Sequence, residues 1–326
     1  MNQNVFVISL DFELLWGVRD KRTRESYGAN LLGVRQVIPR LLELFDRYGV
    51  NATFATVGFL FAKNKEELLE FVPTDLPRYS ADRYSPYANG YMDTVGANEE
   101  EDPYHYGSSL IDRILEHPGH EVATHTFSHF YCLEGASIAS FEADLAAAQK
   151  IAGRKGVELK SIVFPRNQYS QAHIDSCRKA GIIAFRANEQ SAVYTPRNNE
   201  DQSKVIRAAR FLDTYANLTG HHSFVPVETD GIVNIPASRF LRPHTERFSP
   251  FDGRKLARIR GSMLHAAKRK QGFHLWWHPH NFGIHIDENI RFLEEILQFY
   301  RHLHQEFGMQ SKTMRTIAEE TLAHGV

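Results

Sequence analysis

His120-Glu-Val-Ala-Thr-His-Thr-Phe-Ser-His-Phe-Tyr-Cys132 is the stretch on which the fold turns. The apolar pair Val122-Ala123 leads into His125 and His129, four positions apart. On a helical turn, positions i and i+4 face the same way, with Cβ atoms about 5–6 Å apart. Two imidazoles so placed can grip one divalent ion, each at about 2.0–2.1 Å for zinc. Thr126 and Ser128 between them are small and polar, which leaves room for water and substrate. The zincin signature is a different pattern: counting from His120, the next histidine comes one residue too late for H-E-x-x-H. Alternatively the two histidines face solvent on a loop, and in a chain with 17 His such pairs also arise by chance.

Working outward, Val5–Leu10 is a short apolar run and predicts a buried strand. It ends in Asp11-Phe-Glu13, and carboxylates at the C-terminal end of a buried strand occupy the position where α/β barrels place their chemistry. In extended chain, i and i+2 point to one side, so Asp11 and Glu13 face a common site while Phe12 turns into the core. Val34–Tyr48 has apolar residues at helical spacing and is closed by Gly49, with Pro39 starting the helix near Ile38 or kinking it. Further strands are expected at Asn51–Val57, Gly119–Ala123, Ser161–Pro165, Ile182–Arg186, Ile232–Ile235 and Phe273–Trp277. Between them come helical patterns at Ser137–Arg154, Gln171–Ala180, Gly253–Gln271 and Asp287–Phe307. This alternation predicts a parallel sheet or barrel. The polar candidates follow strands: Arg166-Asn-Gln-Tyr169 after the fourth and His278-Pro-His-Asn281 after the last. Pro73–Pro103 is rich in proline and aromatics and carries the acidic run Glu99–Asp102. A segment this long without a pattern reads as a lid or rim loop, or as an insertion without fixed structure. Thr195–Ser203 reads as a polar loop.

Bulk properties narrow the class. The chain has 326 residues, 42% hydrophobic and 24% charged, with net charge -1. A near-neutral chain gives no electrostatic case for nucleic acid. Two cysteines, Cys132 and Cys177, make no disulfide framework and fit a reducing compartment. The N-terminus lacks a basic segment followed by a long apolar one, and no apolar run approaches a membrane span. The length allows one large domain or two small ones, read here as a single domain over residues 1–326, and the expectation is a soluble, cytoplasmic protein.

These residues together resemble the polysaccharide deacetylases of carbohydrate esterase family four, the NodB-homology domain. The matching pieces are Ser9-Leu-Asp-Phe-Glu13, His125-Thr-Phe-Ser-His129, Phe164-Pro-Arg-Asn-Gln-Tyr169 and Leu275-Trp-Trp-His-Pro279, in the family's order from about Val5 to His280. The usual family form has two adjacent aspartates; here the acids are spaced D-x-E, as in some branches, and P-R-N-Q stands where R-x-P-Y is more common. The resemblance implies a distorted (β/α) barrel of the polysaccharide deacetylase type, with the inserted region at about 73–105. It implies one divalent metal, zinc being the usual one, and removal of an N-acyl group, typically N-acetyl, from an amino sugar or glycan. It further implies Glu13, His125 and His129 as metal ligands, Asp11 as base, His278 as acid with His280 as its rival, and Arg166 orienting Asp11 or the substrate. Trp16, Asn167, Tyr169, Trp277 and His280 are candidates for contacts to the sugar, although Trp16, Trp276 and Trp277 equally suit core packing. Two alternatives stay open: an amidohydrolase acting on a small non-sugar amide or imide, and an inactive barrel that only binds carbohydrate.

Overall fold

In the computed structural model, β1 (Val5–Phe12) has every residue buried and lies in the middle of the sheet. It pairs in parallel with β2 (Ala52–Thr56) on one side and β9 (Phe273–Trp277) on the other. From β2 the sheet runs on, all parallel, through β3 (Glu121–Thr124), β4 (Ser161–Val163), β5 (Ala184–Arg186) and β7 (Ile232–Asn234). Beyond β9 lies β8 (Arg239–Phe240). Two short strands complete it: β6 (Val227–Thr229), antiparallel to β7, and β10 (Gln310–Ser311), beside β1. The structure describes residues 3–189, 191–194 and 204–324, so the expected loop at Thr195–Ser203 lies outside the described residues.

The sheet closes through one covalent passage. Ile235 and Ala237 donate their N–H groups to Phe185 and Ala187, and a few residues on, Ser238 and Leu241 donate to His274 and Trp276. The same run of chain therefore hydrogen-bonds first to β5 and then to β9, which makes the curved sheet a distorted barrel. Alternation along the strands sorts the side chains into two layers. Phe6, Ile8, Leu10 and Phe12 of β1 face outward and pack with the helices. Val5 and Val7 face inward with Ala55, Val163, Ala184 and Val233. Met314, Ile317 and Ala318 of the last helix, α9 (Met314–His324), join this inner layer. Above Val5 and Val7 on the same face come Ser9 and Asp11.

Parallel strands need long crossovers, and helices supply most of them. The helices are α1 (Arg24–Tyr48), α2 (Lys65–Glu70), α3 (Ser108–Leu115), α4 (Ile138–Gly153), α5 (Gln171–Lys179), α6 (Lys204–Asp213), α7 (Asp252–Arg269) and α8 (Ile286–Phe307), followed by α9, among the described residues. Of the two readings of Pro39, a start near Ile38 is overturned: α1 begins at Arg24, where Thr23 and Ser26 form a reciprocal cap, and Pro39 lies inside it. The segment 73–103 has two short 3-10 turns and no longer element. It is nonetheless packed, with Ser80 N–H bonded to Glu134 O at 2.8 Å, and buried Asp102 bonded to His105 at 2.7 Å and Arg24 at 2.8 Å. Among the described residues no helix is long and apolar enough to cross a membrane.

Candidate metal centre and cleft

His125 and His129 come together, but not on a helical turn. β3 stops at Thr124, and the next residues form an irregular loop with left-handed φ at Thr126 (63°) and His129 (58°). The reason is competition for the loop's backbone donors. Asp144, on α4, accepts the N–H groups of Phe127 at 2.7 Å and Ser128 at 3.1 Å, and the Ser128 hydroxyl as well. Phe130 N–H goes to the Thr126 hydroxyl at 2.7 Å. Gly58 N–H reaches Thr126 O at 2.9 Å, and a Cβ on Gly58 would stand 2.6 Å from the Phe127 ring. The imidazoles end with centroids 5.1 Å apart.

Glu13 sits between four imidazoles. Its Oε2 lies 3.3 Å from His125 Nε2 and 3.1 Å from His129 Nε2. Its Oε1 lies 3.0 Å from His280 Nε2 and 3.7 Å from His278 Nε2. Burial pushes the Glu13 carboxyl up, but the charge of His278 and hydrogen bonds from His125, His129 and His280 outweigh it and hold the group well below 4.5. His129 is pushed down to about 4 by burial, against the pull of Glu13, so it is neutral at pH 7. His125 Nδ1 is 2.7 Å from Val163 O, which can only accept. The Nδ1 proton belongs there, which leaves Nε2 as the nitrogen that faces the carboxylate oxygen. Only a proton or a cation between them makes that contact favourable. One carboxylate and two imidazoles, with ligand atoms all within 4.8 Å of one another, are a donor set that a divalent ion fits.

Gly17 guards this arrangement. A Cβ there would lie 1.9 Å from the Glu13 carboxyl carbon. Gly17→Ala should push Glu13 out of place and weaken metal binding by at least roughly 10–100-fold, the loss typical of disturbing a ligand's supports. Metal content after dialysis against a graded chelator, with melting temperature as the check on folding, measures it.

Asp11, two residues before Glu13 on the inner face, is held by Arg186 rather than Arg166, which corrects one half of the expected role. Arg186 Nη1 and Nη2 bond Asp11 Oδ1 and Oδ2 at 2.7 and 2.9 Å, a bidentate pair. The guanidinium also reaches Ser9 Oγ at 2.9 Å and Asn167 Oδ1 at 3.0 Å. Burial pushes Asp11 up, while Arg186, His125 and His278 pull harder, so its carboxyl ends below 3.8. Arg166 turns away through a left-handed φ of 55° and pairs with Asp20.

Asp11, Glu13, Gly17, Lys21, His129, Arg166, Asn167, Trp276 and His278 line a cleft of about 250 Å³. His278 Nε2 stands 3.7 Å from Asp11 Oδ2, and its Nδ1 is 3.2 Å from Asn281 Oδ1. Of the residues expected to touch a sugar, Asn167 reaches the cleft. Trp277 does not: it alternates outward, fully buried, stacked on Phe282. Its neighbour Trp276 shares the inner face with His278 and takes that place, with Arg186 over its ring at 4.2 Å. Trp16 is fully buried, donates to His105 O at 2.7 Å and packs on Phe59. Tyr169 packs between Phe164 and Phe185. His280 is buried on Glu13, with Nδ1 2.9 Å from the Tyr27 hydroxyl. Its place behind the carboxylate, away from the cleft, removes it as a sugar contact.

The sequence pattern of the polysaccharide deacetylase family matches residues 32–185, which contain both histidines of the loop. Over these residues and in its barrel the chain is similar to the polysaccharide deacetylases, hydrolases of carbon–nitrogen bonds other than peptide bonds. A search of curated proteins returns no match. Among solved structures, a Mycobacterium smegmatis protein assigned to the polysaccharide deacetylases superposes with TM-score 0.63 at 13% identity, covering 100% of this chain and 93% of that one. A Pseudomonas aeruginosa PAO1 protein assigned likewise gives 0.57 at 12%, covering 97% and 89%. Puue allantoinase gives 0.53 at 11%, covering 97% and 88%. At these identities the likeness is one of fold.

Proposed function

We propose that this chain is a metal-dependent deacetylase that removes the N-acetyl group from an amino sugar, free or within a glycan, with zinc as its metal. The observation behind it is the convergence of Asp11, Glu13, His129 and His278 on one cleft, with His125 just behind, in a chain whose residues 32–185 match this family. Glu13, His125 and His129 are the proposed ligands. When bound, the ion activates a water and polarises the acyl carbonyl. Asp11 is the proposed base: Arg186 keeps it ionised and oriented, ready to take the proton of the attacking water. His278, on the turn just past the end of adjacent β9 and near Asp11, is the proposed acid, giving a proton to the departing amine. Asn167 and the face of Trp276 are proposed to hold the sugar ring. The whole chain is read as one catalytic domain. Buried, unpaired Cys132 and Cys177 suit a cytoplasmic setting.

Acetate release from a panel of N-acetyl sugars by zinc-loaded protein tests this. Release from none, with turnover of cyclic imides instead, would favour the small-amide reading, an activity that the name of the allantoinase neighbour suggests. Binding of sugars without any turnover would leave only the inactive barrel. The acid has its own test. His278→Ala should keep its metal and lose roughly 10²–10⁴-fold in kcat on an N-acetyl sugar. It should lose far less on an activated acetate ester, whose leaving group needs no proton. Equal losses on both substrates would remove His278 from that role.

A further inference from the structure

We propose that Lys21 and Arg166 form an anion-binding subsite in the wall of the cleft, so that the substrate is an N-acylated amino sugar bearing a carboxylate or a phosphate. The proposal rests on the deacetylase reading of the same cleft and narrows its substrate class.

Asp11 pairs with Arg186 and Asp20 with Arg166, Glu13 lies among histidines, and buried Glu134, which accepts from Gln168, is close enough to act on both Lys21 and Arg166 without pairing directly with either among the described residues. Lys21 lines the same cleft, and its ammonium has neither an ion pair nor a hydrogen bond among the described residues. Arg166 is held rigidly beside it. Nη2 bonds Asp20 and the Tyr131 hydroxyl, the latter at 3.3 Å, and the guanidinium carbon lies 4.0 Å from the centre of the Tyr131 ring and 5.3 Å from that of Tyr84. Arg166 and Asn167 both sit at left-handed φ, 55° and 54°, a conformation that persists only when the surroundings enforce it. After all this, Nη1 of Arg166 is buried with no hydrogen-bond partner. A buried guanidinium N–H without an acceptor is costly, and native structures rarely leave one without a reason. Burial and the neighbouring Arg166 pull the Lys21 ammonium below 10.5, against the opposing pull of Asp20 and Glu134. An anion received between them satisfies Nη1 and gives the Lys21 ammonium a direct partner. Arg166 then supplies a directed hydrogen bond and Lys21 a mobile point charge. The cleft that holds this pair also holds Asp11 and His278, so the anion and the acyl group belong to one small molecule or to one sugar residue of a chain.

The test uses zinc-loaded Asp11→Asn protein, in which binding is measured without turnover. Calorimetry compares N-acetylglucosamine, its 6-phosphate and an N-acetylated amino uronic acid, with inorganic phosphate alone as a probe that needs no sugar. At least one anionic sugar should bind roughly 10- to 100-fold more tightly than the neutral one, and which of them does so separates phosphate from carboxylate. Adding Lys21→Met should cut that ratio to near one while metal content and melting temperature stay put. Equal affinities for neutral and anionic sugars, or a preference that survives Lys21→Met, would overturn the subsite while leaving the deacetylase reading intact. If no sugar is bound or deacetylated, inorganic phosphate decides: binding that Lys21→Met abolishes keeps the subsite and discards the deacetylase reading. Phosphate binding indifferent to Lys21 discards the subsite.

Discussion

Glu13→Gln should emerge from purification nearly free of metal, whereas Asp11→Asn should keep its metal and lose roughly 10²–10⁴-fold in turnover. The two acids lie two residues apart, face one cleft and differ in what surrounds them. Glu13 has no cation but histidines: four imidazole nitrogens stand 3.0–3.7 Å from its oxygens. A glutamine in its place would keep the shape and lose the charge, and it would bring an amide group that binds divalent ions far more weakly than a carboxylate does. Asp11 has a full guanidinium clamped on both oxygens. A carboxylate so neutralised is a poor second ligand but remains a positioned proton acceptor beside His278. Metal analysis and acetate release on both variants separate the roles. An Asp11→Asn protein that loses metal while Glu13→Gln retains it would reverse them.

Arg186→Leu should lower stability by about 3–5 kcal/mol, the cost of leaving a buried charge without its partner. Arg186 is fully buried and Asp11 almost so. The guanidinium also holds Ser9, whose hydroxyl in turn meets His274 Nε2 at 2.8 Å, so the pair belongs to a polar layer that spans the barrel from β5 through β1 to β9. The same substitution in an Asp11→Asn background should cost far less, because no carboxylate is left stranded. Denaturant unfolding of the four proteins in that cycle measures the coupling. A cost in Arg186→Leu that is unchanged by Asp11→Asn would mean that Arg186 acts through Ser9, Asn167 and Trp276 rather than through Asp11.

Most of the barrel is legible in the chain because buried parallel strands read as short apolar runs. The runs expected for β1, β2, β3, β4, β5 and β9 coincide with those strands to within a residue or two at their ends. The strands β6 and β10 are three and two residues long, too short to leave a pattern. At the site, alternation places Asp11 and Glu13 on one face, and the same rule applied backward from His278 selects Trp276 over Trp277. The partner of Asp11 is another matter. Arg166 and Arg186 both end strands, and the choice rests on how the strands are aligned: Arg186 pairs with Val163 and stays on the sheet, whereas Arg166 lies past the end of β4, where the backbone turns left-handed. No local pattern encodes that turn. The loop of His125 and His129 is similar, since its shape depends on Asp144 and Gly58, residues remote in sequence.

The central position of β1 bears on what a shortened chain would do. Its partner β9 arrives some 260 residues later by sequence, between the crossover helix α7 and the turn that carries His278. A chain that stops before Phe273 leaves one flank of β1 bare, a row of unpaired N–H and C=O groups along the apolar-rich run Phe6–Leu10, and an exposed edge of that kind recruits other strands. Nascent or nicked chains of this protein should therefore be insoluble rather than merely inactive until β9 has joined the sheet. A C-terminal truncation series, assayed for solubility alone, should show an abrupt gain once Trp277 is included.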